Sequence, residues 1–377
     1  MHAHAAFEVA VYGMTTGQAT EPNQRGRPAV MLGPGYRLSL RLAGVANALG
    51  FIDAYAFLRR RLAKWCVCIM SYHRVGDNCE FPTDVPLTTP RDFEKQVVYL
   101  RRKYQLMSLA DLGNAIQRGT SIPPNTAVIT FDDGYRDNYL YAYPILKKYG
   151  VPATIFLATG HIDDGTPYWW DRVSYAIHNS ASENLETSQL GAFDLKSAAE
   201  RWQASRVIDT RLKQLLDHQK NLAIEELVRQ LGVDLPKTMA REMLLTWDEV
   251  NEMARNGISF GSHTVNHPTL IGLPLEETRK EIVDSKRRIE EKIDQPVDTF
   301  AYPDGRLANV SDGIKAILRE NGFVCAVYAT PNRLVSPGTD PYGLGRISPK
   351  WDFATFHLSV SGLYPDLNAM IGRLRRR

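Results

Sequence analysis

The sequence predicts an α/β protein built on a (β/α) barrel of parallel strands that carries a helical insertion. Three observations predict it. Short β-branched, apolar runs alternate with amphipathic helical stretches, the pattern of strands that pair in parallel under a coat of helices. Several of those runs end abruptly in polar groups. One region, residues 161–240, breaks the alternation with polar, helix-forming sequence.

The elements follow in order. "CVCIMSYHRV" (66–75) is a short apolar run that reads as a buried strand ending at Tyr72-His73. "PRDFEKQVVYLRRKY" reads as an amphipathic helix with Phe93, Val97 and Leu100 on one face. "SLADLGNAIQRG" starts at an N-cap, Ser108, and closes at Gly119. "NTAVITFDDG" is a strand by its β-branched content. "YLYAYPILKKYG" is a helix ending at Gly150, and "VPATIFLATG" is the next strand, with His161 at its end. After the insertion come the helix "WDEVNEMARNG", the strand tip "ISFGSHTVNHP" and the charged helix "EETRKEIVDSKRRIEEKI". The strand tip "VDTFAYPDG", the helix "GIKAILRENG" and the strand "FVCAVYA" complete the alternation.

The chain has 377 residues, 44% hydrophobic and 23% charged, which is ordinary for a soluble globular protein. A net charge of +3, without a basic stripe interleaved with aromatics, argues against a nucleic-acid partner. The four cysteines, Cys66, Cys68, Cys79 and Cys325, form no CxxC pair and no disulfide spacing, so buried thiols are expected. Residues 1–35 are rich in Gly, Pro, Thr, Gln and Asn and are expected to be disordered. Residues 36–65 read as helical. The run Leu42 to Leu58 is interrupted by Asp53, is followed by Arg59 to Arg61, and falls short of the roughly 18–20 apolar residues of a spanning helix. It predicts an amphipathic helix packed on the body or lying on a membrane surface. Reading "ANA" (46–48) as a secretory cleavage site requires an overlong leader. The expected location is therefore the cytoplasm or the inner membrane face, and an exopolysaccharide substrate would instead require export. A basic tail follows residue 360.

Three strand ends carry the chemistry. The first is Asp132-Asp133-Gly134. Two adjacent carboxylates repel and each prefers water, so their placement at a strand tip points to use, although Asp and Gly also serve as an N-cap and turn. The second is "GSHTVNHP", with His263 and His267 four apart, on one side of a helical or turn-like segment; a plain turn at Asn266–Pro268 accounts for the pair equally well. The third is "AYPDG", 301–305. In a parallel barrel the loops after the strands share one face, so these groups converge there. Two imidazoles and a carboxylate form a catalytic metal site with one position open, and the second carboxylate is then free to act as a base.

"TFDDG", "SHTVNHP" and "FAYPDG", in that order, resemble the first three motifs of the polysaccharide deacetylases, the NodB-homology or carbohydrate esterase family 4. The resemblance spans about residues 66–350. It implies a distorted (β/α) barrel and a hydrolase that removes N-acetyl groups from amino sugars with a divalent metal, Zn²⁺ first, with Co²⁺, Ni²⁺ or Fe²⁺ as substitutes. It implies Asp132 as the base, Asp133, His263 and His267 as metal ligands, and the Asp304 backbone N–H as an oxyanion donor. Tyr302 in the same motif is expected among the substrate contacts. "SYHRV" places His73 before the aspartate pair, which resembles the permuted order of poly-N-acetylglucosamine deacetylases and implies His73 as the general acid. His357, in "WDFATFHLSVSG", reads as part of a surface helix and is the weaker candidate. Ala301 stands where an arginine would orient the base; Arg136, Arg172 and Arg346 are alternatives that the sequence does not separate. Trp169, Trp170 and Asp171 in "PYWWDRVSYAI" read either as a sugar-stacking wall, with Asp171 orienting the acid, or as an anchor for the inserted helices. His178 and His218 read as solvated. The expected partner is an acetylated carbohydrate. An O-acetyl esterase and a non-catalytic carbohydrate-binding barrel are the competing readings.

Overall fold

The computed structural model describes residues 50–62, 66–77, 81–83, 85–307, 310–329, 334–348 and 353–363. The loose N-terminus expected over 1–35, the "ANA" run at 46–48, Cys79 and most of the basic tail lie outside them.

In chain order the strands are β1 (Cys66–Tyr72), β2 (Arg74–Val75), β3 (Leu87–Thr88), β4 (Gln105–Leu106), β5 (Asn125–Phe131), β6 (Thr154–Leu157), β7 (Asn184–Thr187), β8 (Gly191–Asp194), β9 (Ser259–Ser262), β10 (Thr299–Ala301), β11 (Cys325–Tyr328) and β12 (Leu344–Gly345). The main sheet runs β1-β5-β6-β9-β10-β11-β12, with β4 beside β5, and its strands pair in parallel. Just past β12, the Ser71 N–H donates to the Ile347 carbonyl at 2.9 Å and the Ile347 N–H to the Ile69 carbonyl at 2.7 Å. The last strand thus meets the first, and the sheet is a nearly closed barrel, as the alternation predicts.

The local causes are legible in β1. Val67 and Ile69 join one apolar cluster, which side chains of β5, β6, β10, β11 and β12 also enter. Cys68, Met70 and Tyr72 join another, against the coating helices. A strand buried on both faces must be apolar throughout, which is why "CVCIM" shows no polar alternation. The cysteines here are free thiols.

The helices are α1 (Phe51–Leu62), α2 (Pro90–Lys103), α3 (Leu109–Arg118), α4 (Tyr143–Tyr149), α5 (Thr159–Asp164), α6 (Trp169–Asn179), α7 (Ala198–Leu212), α8 (Asp217–Leu231), α9 (Met239–Met243), α10 (Trp247–Arg255), α11 (Leu275–Ile293), α12 (Asp312–Glu320) and α13 (Phe353–Val360). Their starts are chemically marked. Thr89 caps α2 ahead of Pro90, Ser108 caps α3, and Thr246 with Glu249 forms a capping box on α10. Among the described residues no helix is long and apolar enough to cross a membrane.

Four details differ from the sequence reading. β6 stops at Leu157, and His161 sits on the short helix α5, because the chain turns back there to pair with the His263–Val265 segment: the Thr159 and Gly160 N–H groups donate to the carbonyls of Thr264 and Val265. The stretch from α6 to α8 includes an antiparallel hairpin, β7–β8; Leu185, Leu190 and Leu195 sink with Ile177, Ile208 and Leu227 into a core of their own. α13 is not a surface helix at His357, which is 2% exposed, stands edge-on to Tyr99 with centroids 4.8 Å apart and faces Asp53 of α1 at 3.5 Å. That position serves packing between α1 and α2. His218 is exposed as expected, but His178 is half-buried against Trp202, with ring centroids 4.3 Å apart.

His178 carries a pH prediction. Burial, helped by the Arg201 charge, lowers its pKa from 6.5 to about 4. The unfolded chain therefore takes up this proton first as the pH falls. The stability is full above pH 6.5 and is lost between 6.5 and about 4. Each pH unit of separation is worth about 1.4 kcal/mol, so the loss is at most about 3 kcal/mol, less where solvent reaches the ring. Thermal unfolding followed against pH should show a shallower acid slope in His178→Gln. Equal slopes would mean the ring is solvated in solution.

Candidate functional site

Because the barrel strands are parallel, their C-terminal ends open on one face. The register sets the neighbours there. Tyr72 of β1 lies opposite Phe131 of β5, and the Asp132 N–H donates to the Tyr72 carbonyl at 3.0 Å. His73 and Asp132 therefore leave adjacent strands side by side, and His73 Nε2 stands 3.8 Å from Asp132 Oδ2. The two sit 59 positions apart in sequence because β2, β3, α2, β4, α3 and β5 intervene.

Asp132 is gripped by Arg346, the residue after β12. Nη1 donates to Oδ1 and Nη2 to Oδ2, both at 2.7 Å, and Nη1 also reaches Thr130 Oγ1 at 3.2 Å. Arg346 is 1% exposed and Asp132 3%. Burial alone would raise the carboxyl's pKa; the guanidinium, with the nearby imidazoles, reverses that and holds it at about 2. Of the three arginines left open by the sequence, the structure selects Arg346. Arg136 pairs instead with Glu249 at 2.8 Å.

Asp133 faces the histidines. Its Oδ1 lies 3.5 Å from His263 Nε2 and 3.6 Å from His267 Nε2, and all three residues are buried. The ligand atoms lie within 4.8 Å of one another, a spacing that accepts one divalent ion. The donor chemistry fits. The Ala301 carbonyl at 2.7 Å takes a hydrogen bond from His263 Nδ1, which leaves Nε2 as a lone-pair donor. Burial, then the His263 charge, keeps His267 well below its ordinary pKa, in the neutral form a ligand needs. Desolvation opposes charge on His263, but the Asp133 and Asp132 carboxylates outweigh it and raise its pKa. Asp133, Thr264, His267 and Asp304 all take positive φ (70°, 71°, 54° and 58°), a clustering of backbone strain typical of a built site. Gly134 has φ 63°, so the turn after the aspartate pair suits glycine.

The tryptophan segment divides. Trp170 stacks on Tyr168 (centroids 4.5 Å apart) and stands edge-on to His267 at 4.9 Å. Its Nε1–H donates to the Tyr135 hydroxyl at 2.8 Å, which donates to Asp171 Oδ2 at 2.7 Å. Asp171 is 1% exposed, also accepts from Thr83 Oγ1, and is raised by burial to about pKa 6. It thus lies beneath the site, holding Tyr135. Trp169 turns away into the α6–α8 core, with the Lys220 ammonium 5.5 Å over its ring. Tyr302 is a correction. It is 0% exposed, and its hydroxyl donates to the Tyr342 carbonyl at 2.8 Å, so its side chain packs in the core and not, as expected, among substrate contacts. Asp304 follows β10 and accepts from Thr269 Oγ1 at 2.7 Å, which ties this loop to the histidine loop.

Two contributors went unread in the sequence. Tyr168 donates its hydroxyl to the Asp133 carbonyl at 2.7 Å, and Tyr135 bridges Trp170 to Asp171. Their only sequence signal is proximity to the DDG and WWD runs.

The description "polysaccharide deacetylase" belongs to the family model that matches residues 120–326, more than half of the chain. Among curated proteins, the chain is 24% identical over 241 residues to YxkH of Bacillus subtilis, covering 63% of this chain and 56% of that one. It is 26% identical over 185 residues to the poly-β-1,6-N-acetyl-D-glucosamine N-deacetylase of Staphylococcus epidermidis, covering 46% and 60%. The match thus spans less than two thirds of either relative. Among solved structures, IcaB from Ammonifex degensii superposes with a TM-score of 0.52 at 17% identity, covering 80% of this chain and 98% of that one. The Streptococcus pyogenes deacetylase PplD in complex with acetate gives 0.51 at 20% identity, with the same coverage. At these identities the superpositions speak for the fold alone. The barrel, the aspartate–histidine cluster and the family match agree: this chain belongs to the polysaccharide deacetylase family.

Proposed function

We propose that this protein is a metal-dependent hydrolase that removes N-acetyl groups from an N-acetylated amino sugar in a glycan, within residues 66–360 and with 161–240 as an insertion. One observation carries the reading: Asp132, held by both nitrogens of the Arg346 fork, lies 3.8 Å from His73 and is the chain neighbour of Asp133 in the buried Asp133, His263 and His267 group. The printed activity of the Staphylococcus epidermidis relative supports the same substrate class.

Asp133, His263 and His267 would hold the ion, with Zn²⁺ favoured by two imidazoles and one carboxylate. Bound there, the ion would supply Lewis acidity to the attacking water and the acetyl carbonyl. Asp132 takes the proton of the attacking water, and the two N–H groups of Arg346 keep its carboxylate in position and ionised. The Asp304 N–H donates to the oxygen that gains charge, a contribution of about 3–4 kcal/mol for one such donor. His73 gives a proton to the departing amine. Acetate and a free amino sugar leave.

Acetate release from β-1,6-linked N-acetylglucosamine oligomers tests this directly. Asp132→Asn should lower the rate about 10³-fold and His73→Ala about 10²-fold, within the range of general acid–base catalysis. An aryl acetate, whose leaving group needs no proton, should be hydrolysed by His73→Ala at close to the wild-type rate. Full activity of either variant on the amide would sink the assignment. Activity on O-acetylated but not N-acetylated sugars would make the protein an esterase.

A further inference from the structure

A second surface has nothing to do with the barrel mouth. Helix α1 buries Ile52 and Ala56, at 0% and 2% exposure. The face it turns to solvent would be polar in an ordinary surface helix. Here that face carries Phe51, Phe57 and Leu58, exposed to 64%, 56% and 57%. Arg61 lies 5.0 Å over the Phe57 ring, so a cation and an aromatic share one position on it.

The neighbouring surface is basic. Asp53 of α1 meets Lys103 of α2 and His357 of α13, both at 3.5 Å, so the three helices form one continuous face. An open cleft of about 770 Å³ lies there, lined among others by Arg91, Lys95, Arg102 and Lys103, with Tyr99 and Phe353. The four cations are exposed. The one carboxylate lining the cleft, Glu94, is already engaged by Lys148 at 2.7 Å and by the Tyr149 hydroxyl at 2.8 Å. Lys95 and Lys103 face Asp92 and Asp53 at 3.3 and 3.5 Å, so the positive charge of the cleft rests chiefly on Arg91 and Arg102, beside an apolar ridge.

We propose that α1, α2 and α13 form a docking face for an anionic lipid bilayer. The ridge of Phe51, Phe57 and Leu58 would enter the headgroup–acyl boundary, and the arginines and lysines beside it would meet anionic headgroups. Charge decides the occupant. A second copy placed on this face would set cations against cations. A soluble polyanion would satisfy the cleft and leave the three apolar side chains in water. A bilayer satisfies both. This surface is separate from the deacetylase reading and stands or falls without it.

The test is sedimentation of the full chain with vesicles of phosphatidylcholine and phosphatidylglycerol in equal parts, and of phosphatidylcholine alone. The protein should pellet with the mixed vesicles, remain in solution with the neutral ones, and be released by salt. Arg91→Glu with Arg102→Glu should weaken partitioning by at least about tenfold, and Phe51→Ser with Phe57→Ser and Leu58→Ser should abolish it. Unfolding temperatures of both variants confirm that they fold; if the triple variant does not, the charge pair carries the test alone. Three results would overturn the proposal: a wild type that stays in solution with both kinds of vesicle, variants that bind as the wild type does, or a serine variant that turns a dimer into a monomer while vesicles capture neither form.

Discussion

Arg346→Met should be the most damaging single substitution in the barrel. It removes both hydrogen bonds to Asp132 and leaves a carboxylate that is 3% exposed without its cation. Breaking a buried pair from one side costs about 3–5 kcal/mol, because the remaining charge stays desolvated. Chemical denaturation should show that loss as a lower midpoint with an unchanged slope. Activity should fall further than stability explains, since Asp132 loses the fork that aims it, and misplacement of a base by about 1 Å costs on the order of 10²-fold. Arg346→Lys separates the two effects. It restores a positive charge, so most of the stability should return. A lysine offers a point charge and not a planar fork, so the rate should recover only in part. If Arg346→Met were as stable and as active as the wild type, the pair would be a bystander, and the orienting role would pass to another group.

The second large effect concerns the metal. An ion that binds the folded protein and not the unfolded chain stabilises it by RT ln(1 + [L]/Kd), about 4 kcal/mol at a thousandfold excess over Kd. Wild-type protein stripped with a chelator should therefore unfold at a lower temperature, and adding Zn²⁺ should raise the midpoint by several degrees. In Asp133→Ala the Zn²⁺-dependent rise should vanish, because two imidazoles alone leave the site short of its anionic ligand. This readout needs no substrate, so it separates loss of metal from loss of catalysis. The same midpoint shift in wild type and Asp133→Ala would place the ion elsewhere. Ala301, whose carbonyl holds His263 Nδ1, acts through its backbone, so an Ala301→Ser substitution should leave metal affinity intact if the side chain is tolerated.

How much of this was readable beforehand depends on the kind of signal. The strands β1, β5 and β6 and the helices α2 and α3 were legible because apolar period and cap chemistry are local properties. Asp132, Asp133, His263 and His267 were legible because adjacent carboxylates and spaced imidazoles at strand ends have few structural uses. Tyr302 was misread for a related reason. An aromatic beside a functional motif looks the same in sequence whether it faces the cleft or the core, and here its hydroxyl is satisfied inside, on Tyr342. His357 reads as polar and therefore exposed, yet the α1 and α2 helices close over it.

What the sequence determined by itself is the inventory: an α/β alternation, the polar strand ends, and an apolar, arginine-flanked segment ahead of the barrel. Each follows from residues a few positions apart. What only the tertiary structure decided is which distant groups meet. Arg346 follows a strand of two residues, too short to announce itself, and lies 214 positions from Asp132. It reaches that carboxylate because the sheet curls until β12 meets β1, and barrel closure is a property of the whole sheet. Trp169 and Trp170 are neighbours in sequence that the first turn of α6 sends to different places, one into the insertion's core and one against His267. The side on which a residue of a helix falls is set by what packs against that helix, and that partner is contributed by the rest of the chain.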